Sequence, residues 1–475
     1  MGEREIIEER NRKLKELLEM GIEPYGRAFS RIPINEVKEG EENVSVAGRI
    51  IAIRKHGRAS FADIVDWSGK IQVYFKEDIL QDGYKIFKKL DIGDIIGIKG
   101  DVFRTKTGEL TILVKEFKIL SKSLRPLPEK WHGLRDVEIR FRKRYVDLLV
   151  NKDVREIFKK RIRIIQLIRE FLDKKGFLEV ETPMMHPIPG GATAKPFITY
   201  HNSLDMELYL RVSPELYLKR LLVGGFEKVY EINRCFRNEG ISTLHNPEFT
   251  MLELYQAYAD YRKMMEITEE LFVYICENLN GSLKISYQGK EIDFSRPWKV
   301  MELKEIYKSI GIEDWKDIGA VRKKIKEMKL EIEKEEEKDV FELLEAIFKK
   351  KIQPELISPT FVIGYPKETS PLAKNFPGNE EIVERFELFI GGLEIANAYS
   401  ELNDPIEQKN RFIEEVKLQR EDRPKTVDTD YIEALEYGMP PAGGLGIGID
   451  RMTMLFTDTP SIREVILFPI LRVRK

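Results

Sequence analysis

Residues 230–258, YEINRCFRNEGISTLHNPEFTMLELYQAY, read as two strand-like runs joined by a loop that contains Gly240. In the second run Phe249, Met251, Glu253 and Tyr255 alternate, which puts all four on one face of a strand. A carboxylate between two aromatic rings and a methionine does not suit a simple core strand, because a buried carboxylate must be paired or hydrogen-bonded. Arg234 and Arg237 lie near the loop, and His245, Glu248, Phe249, Glu253 and Tyr255 come beyond it. Arg237 is suited to gripping a phosphate through two donors, Phe249 to stacking on a planar base, and Glu253 to receiving a ligand cation. A strand with an internal salt bridge gives the same pattern, since structural ion pairs also collect charge.

Two further blocks carry chemistry. ERFELFIGGLEIANAYSELND (384–404) sets Glu387 and Glu394 seven residues apart and adds Asn397 and Glu401, with Gly391 and Gly392 allowing a turn between the two acids. Two carboxylates suit Mg²⁺ bound to phosphates, which takes hard oxygen ligands; surface glutamates are common enough to give the same spacing. AGGLGIGIDRMTMLF (442–456) has glycines at 443, 444, 446 and 448 that leave a strand face bare for close approach. Asp450 is expected to open a helix there, with Arg451 in its first turn. A cation in that position opposes the helix dipole, so an external anion is one explanation and chance placement the other.

The chain around these blocks has 475 residues, room for about three domains at roughly 150 residues each. Its 42% apolar and 34% charged residues, with 79 basic against 81 acidic, describe a globular protein rather than a disordered one. Cys235 and Cys276 form no CxxC pair, which excludes a thiolate metal site and suits a reducing compartment. No apolar run reaches the roughly 18 residues of a membrane span, and the charged start MGEREIIEERNRK does not read as a secretory leader. A cytoplasmic location, with no membrane partner, is the expectation.

Residues 3–20 read as an amphipathic helix ending at Gly21, within an N-terminal extension of 1–43. From Val44 the period becomes that of strands, and three strands, a helical EDILQDGYKIFKKL and two more strands follow within 44–122. That is the order of a five-stranded oligonucleotide-binding barrel, and also of a generic small β domain. Lys115–Arg144 holds ten Lys or Arg against four acids. With its proline-bearing RPLPEKWHG it reads as part of a basic linker, 123–154, that faces either a phosphate backbone or solvent. From Arg155 to Lys175, Phe158, Ile162, Ile165, Ile168 and Leu172 recur at helical spacing, with Gly176 placed to stop the helix. The remainder, 155–475, contains no GxGxxG after a strand and no GxxxxGK[ST]. It carries a Lys/Glu-rich helical insertion around 305–355 that reads as peripheral with a solvated face.

These blocks carry a family resemblance. FRNEGISTLHNPEFTMLELYQAYADY resembles motif 2 of the class II aminoacyl-tRNA synthetases, GLGIGIDR resembles motif 3, and the helix from Arg155 with GFLEVETPMM resembles motif 1. LRVSPELYLKRLLVGG, IPGGATAKPF and GGLEIANAYSELND are similar to bacterial-type lysyl-tRNA synthetases, and the similarity covers nearly the whole chain. The resemblance implies an α+β protein: a five-stranded OB-fold anticodon barrel, then a catalytic domain on an antiparallel sheet flanked by helices, working as a homodimer through the motif 1 region. It implies ATP contacts by Arg237, Glu239, His245, Phe249 and Arg451, with Arg237 and Arg451 as the catalytic cations and Glu387 and Glu394 holding Mg²⁺. L-lysine would sit among Gly191, Glu215, Glu253, Tyr255, Asn397 and Glu401. Phe61 and Gln72 would contact the middle anticodon base of tRNA(Lys).

Charge agrees with that implication. Glu215, Glu253 and Glu401 supply more negative charge than one α-amino group needs, which suits a substrate ending in a cation. An aspartate-specific pocket should instead hold a dedicated Lys or Arg. An enzyme activating aspartate or asparagine, one attaching a lysine analogue to a protein, and a non-catalytic nucleic-acid-binding module remain the alternatives. Against them stand the glutamates, the barrel, and the presence together of Arg237, Arg451, Glu387 and Glu394.

Overall fold

The computed structural model describes residues 2–128, 134, 136–418 and 425–472. The chain divides into two units, Met1–Arg135 and Asp136–Lys475. The expected basic linker of 123–154 is therefore corrected: 129–133 and 135 lie outside the described residues, while Val137–Arg142 and Arg144–Val150 are helices of the second unit. Arg144 shows why. Fully buried, it pairs with Asp147 at 2.6 Å and donates to the carbonyls of Arg463 and Leu467 at 2.9 and 3.1 Å. A charge that looked free for phosphate is satisfied inside the fold, as a buried guanidinium must be.

In the first unit, helix α1 (Glu3–Glu19) precedes strands β1 (Val44–His56), β2 (Ala59–Val65), β3 (Lys70–Lys76), β4 (Ile95–Arg104) and β5 (Leu110–Ser121). They pair in the order β1-β2-β3-β5-β4, and β4 returns to β1 to close a barrel. The β1–β4 seam runs antiparallel over six residue pairs from Val44↔Gly100, whereas β3 meets β5 in parallel over Gln72–Tyr74 only. Alternation sends Ala62, Ile64, Val73, Phe75 and Ile112 inward, all fully buried. Helix α1 buries Leu17 in the barrel core and adds polar contacts. Arg10 donates to the Ile92 and Arg125 carbonyls, both at 2.9 Å, and Lys13 pairs with Asp91 at 2.6 Å.

In the second unit the strands are β6 (Leu178–Glu179), β7 (Lys228–Phe236), β8 (Glu248–Ala257), β9 (Lys299–Glu302), β10 (Thr360–Pro366), β11 (Asn379–Ile390), β12 (Leu393–Ser400) and β13 (Ala442–Gly448). Their order across the sheet is β9-β10-β11-β12-β13-β8-β7-β6, with Asn375–Phe376 added beside β11. The expected antiparallel catalytic sheet is corrected to a mixed one. At its two edges β9–β10 and β6–β7 are parallel. Parallel neighbours need a long crossover, and residues 303–359 and 180–227 supply the two. The charged insertion is thus the connection that makes β9 and β10 parallel, and it has its own core around Trp315, Val321, Leu343 and Ile347.

Helix α2 (Lys152–Lys174) starts one turn earlier than the apolar spacing indicates and buries Ile164, Leu167, Ile168, Phe171 and Leu172. Of the five apolar positions read at helical spacing, Ile162 alone is exposed, at 53%; it stands at the edge of the face that Phe158, Ile168 and Leu172 bury. Helix α3 (Glu215–Val223) packs on β8, and helix α4 (Tyr261–Asn280), capped by the Asp260 side chain, runs beside α2. From α4, Phe272 meets Phe294, Trp298 and Phe456 with ring centroids 5.8–6.1 Å apart. Phe272→Ala is expected to cost about 3–5 kcal/mol, read as a lower denaturant midpoint for the second unit's unfolding.

Candidate active site

Opposed residues in a sheet share a face, and the register across five strands sets out the site. Glu231 on β7, Glu253 on β8, Gly446 on β13, Asn397 on β12 and Glu387 on β11 form one row. The next row holds Tyr255, Gly444, Tyr399 and Arg385. At a strand spacing of about 4.8 Å, Glu253 and Glu387 sit about 14 Å apart. Over these rows lies a cavity of about 480 Å³, lined by Phe249, Met251, Glu253 and Tyr255 among others. The glycines make room for it: a Cβ on Gly444 would collide with Glu401 and the Tyr255 ring.

One end of the cavity is cationic. The Arg237 guanidinium lies over the Phe249 ring, 5.0 Å from its centroid, and its buried Nε has no hydrogen-bond partner among the described residues. Glu239 and His245 line the same end. His245 Nδ1 is 2.9 Å from Ser242 Oγ and its Nε2 3.4 Å from Arg451. Burial and then the Arg451 charge lower its pKa. Helix α5 (Ile449–Thr457) begins at Ile449 after Gly448, so Asp450 does not open it. Asp450 instead accepts the Thr250 N–H at 2.7 Å and pairs with Arg161 at 2.6 Å, tying α5 to β8 and α2. Arg451 donates to the Glu394 carbonyl at 2.8 Å and lies 3.3 Å from its carboxylate, an internal partner for the first-turn cation.

The acids beside it form a second cluster. Glu387 meets Arg385 at 2.6 Å and accepts from Tyr365 OH at 2.9 Å. Burial and the Glu394 charge push its carboxyl up to about 7 against Arg385. Against its own burial, the Arg451, Lys349 and Arg237 charges hold Glu394 below the usual carboxylate range. Among the described residues no group of three His, Cys, Asp or Glu is arranged to hold a metal ion, so the two carboxylates suit a cation that takes its remaining oxygens from a ligand.

The other end is acidic and deeper. Glu253 is 4% exposed and accepts from Ser213 Oγ at 2.8 Å and Tyr255 OH at 3.2 Å. Gly191, at φ +87°, lies against Glu215 and Ser213, where a Cβ would have 3.1 Å to each. Glu215 and Asn397 line the cavity, whereas Glu401 is 1% exposed and lies behind its wall. The expected surplus of negative charge is reduced by a residue the sequence reading left out: Lys219, fully buried, pairs with both Glu215 and Glu401. On the barrel of the first unit, Phe61 stacks on Tyr74 at 4.4 Å, and Gln72, two residues before Tyr74 on β3, accepts from Thr111 at 2.9 Å. The register puts Phe61 and Gln72 on the same outer face.

The sequence profile of the tRNA synthetases class II (D, K and N) matches residues 136–472, and that of the OB-fold nucleic acid binding domain matches 44–120. The chain belongs to the class II tRNA synthetases. It is 59% identical to a lysine–tRNA ligase of Carboxydothermus hydrogenoformans, over 99% of this chain and 98% of that one. It is 55% identical to the lysine–tRNA ligases of Pelotomaculum thermopropionicum and Syntrophomonas wolfei, over 99% of this chain and 96% and 97% of theirs.

In this class II synthetase several site residues escaped the sequence reading although a signal was present. Arg385 and Tyr399 stand two residues from Glu387 and Asn397, the strand period. Lys219 is four residues after Glu215, the helix period. Glu345 and Lys349, from the insertion expected to be peripheral, line the cavity; nothing in their Lys/Glu-rich surroundings singled them out.

Glu253 gives the site a pH signature. Burial first and the Glu215 charge second push its carboxyl up to about 7. A carboxyl raised by folding binds more protons folded than unfolded, so its contribution to stability falls as pH rises from about 4.5 to about 7. Glu253→Gln removes that dependence. The melting temperature of the substituted protein minus that of the unmodified one is expected to be more positive at pH 8 than at pH 5, with at most about 3 kcal/mol behind the change.

Proposed function

We propose that the chain is a lysine–tRNA ligase, which joins L-lysine to ATP as lysyl-adenylate with release of pyrophosphate and then passes the lysyl group to the 3′-terminal adenosine of tRNA(Lys). The observation that carries this reading is one cavity with, at one end, an arginine donor, Arg237 Nε, that has no partner among the described residues and, at the other, buried carboxylates. That polarity fits a nucleoside triphosphate beside an amino acid with a cationic side chain. Lys219 does not make the pocket suitable for aspartate, since its ammonium is already held by two carboxylates.

In this reading Phe249 stacks beneath adenine, Arg237 grips the α-phosphate, Arg451 binds the γ-phosphate, and Glu239 and His245 lie near the adenine and the β- and γ-phosphates. Glu253, Glu215, Tyr255, Asn397, Glu401 and the bare Gly191 surround lysine. Its carboxylate is already ionised at neutral pH, so no general base is required. A carboxylate oxygen attacks the α-phosphorus, the bond to the bridging oxygen of the β-phosphate breaks, and pyrophosphate leaves with that electron pair. Arg237 and Arg451 place fixed positive charge where negative charge develops, and the cavity orients the two reactants. In the second step a ribose hydroxyl of tRNA attacks the lysyl carbonyl and AMP departs.

The two acids support Mg²⁺ as the metal. Glu387 is pushed up to about 7 by burial beside Glu394, and these two carboxylates would hold a hard cation, which would relieve that cost. When bound, Mg²⁺ neutralises charge on the triphosphate. The apolar stripe of α2 and the segment after it leave Ile162, Leu178, Met185, Ile198 and Tyr200 each more than half exposed, which supports the motif 1 region as a homodimer face. No helix among the described residues is long and apolar enough to cross a membrane; a cytoplasmic location belongs to this reading because its partner is tRNA.

The test is ATP–pyrophosphate exchange with each of the twenty amino acids in turn, without tRNA. Exchange with lysine alone is expected; exchange with aspartate or asparagine would overturn the substrate. Arg237→Ala is expected to lower lysine-dependent exchange at least about 100-fold, the effect of losing one preorganised anion contact. Phe61→Ala is expected to leave exchange unchanged and weaken tRNA(Lys) use by about 1–3 kcal/mol, the worth of one base–aromatic stack; unaltered aminoacylation kinetics would remove Phe61 from the anticodon site.

A further inference from the structure

The acidic end of the cavity is backed by a cation that the mechanism above does not use. Lys219 Nζ lies 2.6 Å from Glu215 Oε1, one turn earlier on α3, and pairs with Glu401 Oε2 just beyond β12. The rings of Tyr399 and Tyr255 lie 5.4 and 6.0 Å from the same ammonium. Tyr399 OH donates to the Glu215 oxygen that Lys219 also holds. The remaining oxygen of Glu401, Oε1, is buried with no hydrogen-bond partner among the described residues. It sits against Gly444 in the cavity wall, where any side chain would collide with it.

We infer that Lys219 is a positioning residue for the amino-acid substrate: a built-in counter-cation that holds one oxygen each of Glu215 and Glu401 and leaves their other oxygens for a substrate ammonium. The inference rests on the lysine reading above. The pair leaves an acceptor, Glu401 Oε1, without a hydrogen-bond partner among the described residues and against the cavity wall. The charge count agrees. With substrate bound and all three ionised, Glu215, Glu253 and Glu401 against one internal ammonium leave two negative charges for a substrate that brings two ammonium groups.

Without Lys219 three buried carboxylates would face one another, and a proton would take the place of the missing cation. The groups around Lys219 that titrate are Glu215 on its own helix, Glu253 and Tyr255 on β8, Tyr399 and Glu401 at the end of β12, and Tyr431 on the helix Thr429–Glu436. Burial raises the Glu401 carboxyl well above its usual range and Lys219 opposes that rise. Substrate binding to a protein lacking Lys219 would first have to expel the proton.

ATP–pyrophosphate exchange by the full chain between pH 7 and 9 tests this. Lys219→Met is expected to raise the KM for lysine at least tenfold at pH 7, with the loss shrinking toward pH 9 and the KM for ATP staying within twofold. A lysine KM within twofold of the unmodified protein at pH 7, or a loss that does not change with pH, would overturn the role of Lys219 and leave the lysine reading intact. Absence of lysine-dependent exchange in the unmodified protein would overturn both. Should Lys219→Met not fold, the same change is made beside Glu401→Gln, which removes one of the unpaired charges. Relative to Glu401→Gln alone the lysine KM is expected to rise at least threefold, because Glu215 loses its cation, and equal values would reject the inference.

Discussion

Glu253 is a carboxylate carried by a central strand into a place where only 4% of it remains exposed, and the surrounding structure is arranged to make that tolerable. Ser213 and Tyr255 give its two oxygens one donor each. Behind it Arg211, fully buried, pairs with Glu231 at 2.8 Å and donates to the Arg234 carbonyl, and Thr182 donates to the other Glu231 oxygen at 2.6 Å. These contacts bring the segments around 182 and 211–215 onto the face of β7 and β8. The loop carrying Gly191 and the start of α3 follow from them in sequence. A single buried charge thus organises much of one wall, because an unpaired carboxylate there would cost several kcal/mol.

The same sheet face has to be deep as well as charged. The third strand of the row, β13, contributes Gly444 and Gly446, and their missing side chains allow Tyr255, Glu401 and Met251 to occupy space that would otherwise be filled. Since side chains in a strand alternate, glycine at every second position empties one face only. On the other face Leu445 and Ile447 are buried in the core against the helices. One strand therefore both seals the core and hollows the site, a division of labour that rests on its period of two.

This explains what the sequence made legible. The strand face of Phe249, Met251, Glu253 and Tyr255 and the bare face of 444, 446 and 448 follow from alternation, a local rule, and the structure brings both to one cavity. Which strands lie beside which is not local. The two parallel edges could not be read, because they depend on crossovers of about fifty residues whose strands pair only once the whole sheet exists. Polar anchoring was equally hidden. Arg10, Arg144 and Asp450 look like surface charge or a helix cap in sequence, and only the fold shows the carbonyls, Asp147 and Arg161 that satisfy them. Ile162 failed in the opposite direction: helical spacing identifies an apolar stripe but does not say how wide an arc of it the core covers, and Ile162 stands at its edge while Phe158, Ile168 and Leu172 are buried.

The parallel edge has a consequence for the site. Because β9 and β10 run the same way, the chain must travel back between them, and residues 303–359 do so as a compact helical body instead of a loop. Its helix Val340–Ile347 passes into a π-helical turn, Phe348–Ile352, a local widening often found where a helix serves a site. Phe348 is packed on Phe389 of β11, with ring centroids 5.1 Å apart. Phe389 in turn lies opposite Glu394 in the register. Anchored through Phe348, Lys349 and Glu345 stand at the cavity beside Glu387 and Glu394. A connection forced by strand direction therefore delivers charge to the acidic pair, and its Lys/Glu-rich composition, which in sequence reads as solvated surface, includes part of the cavity wall.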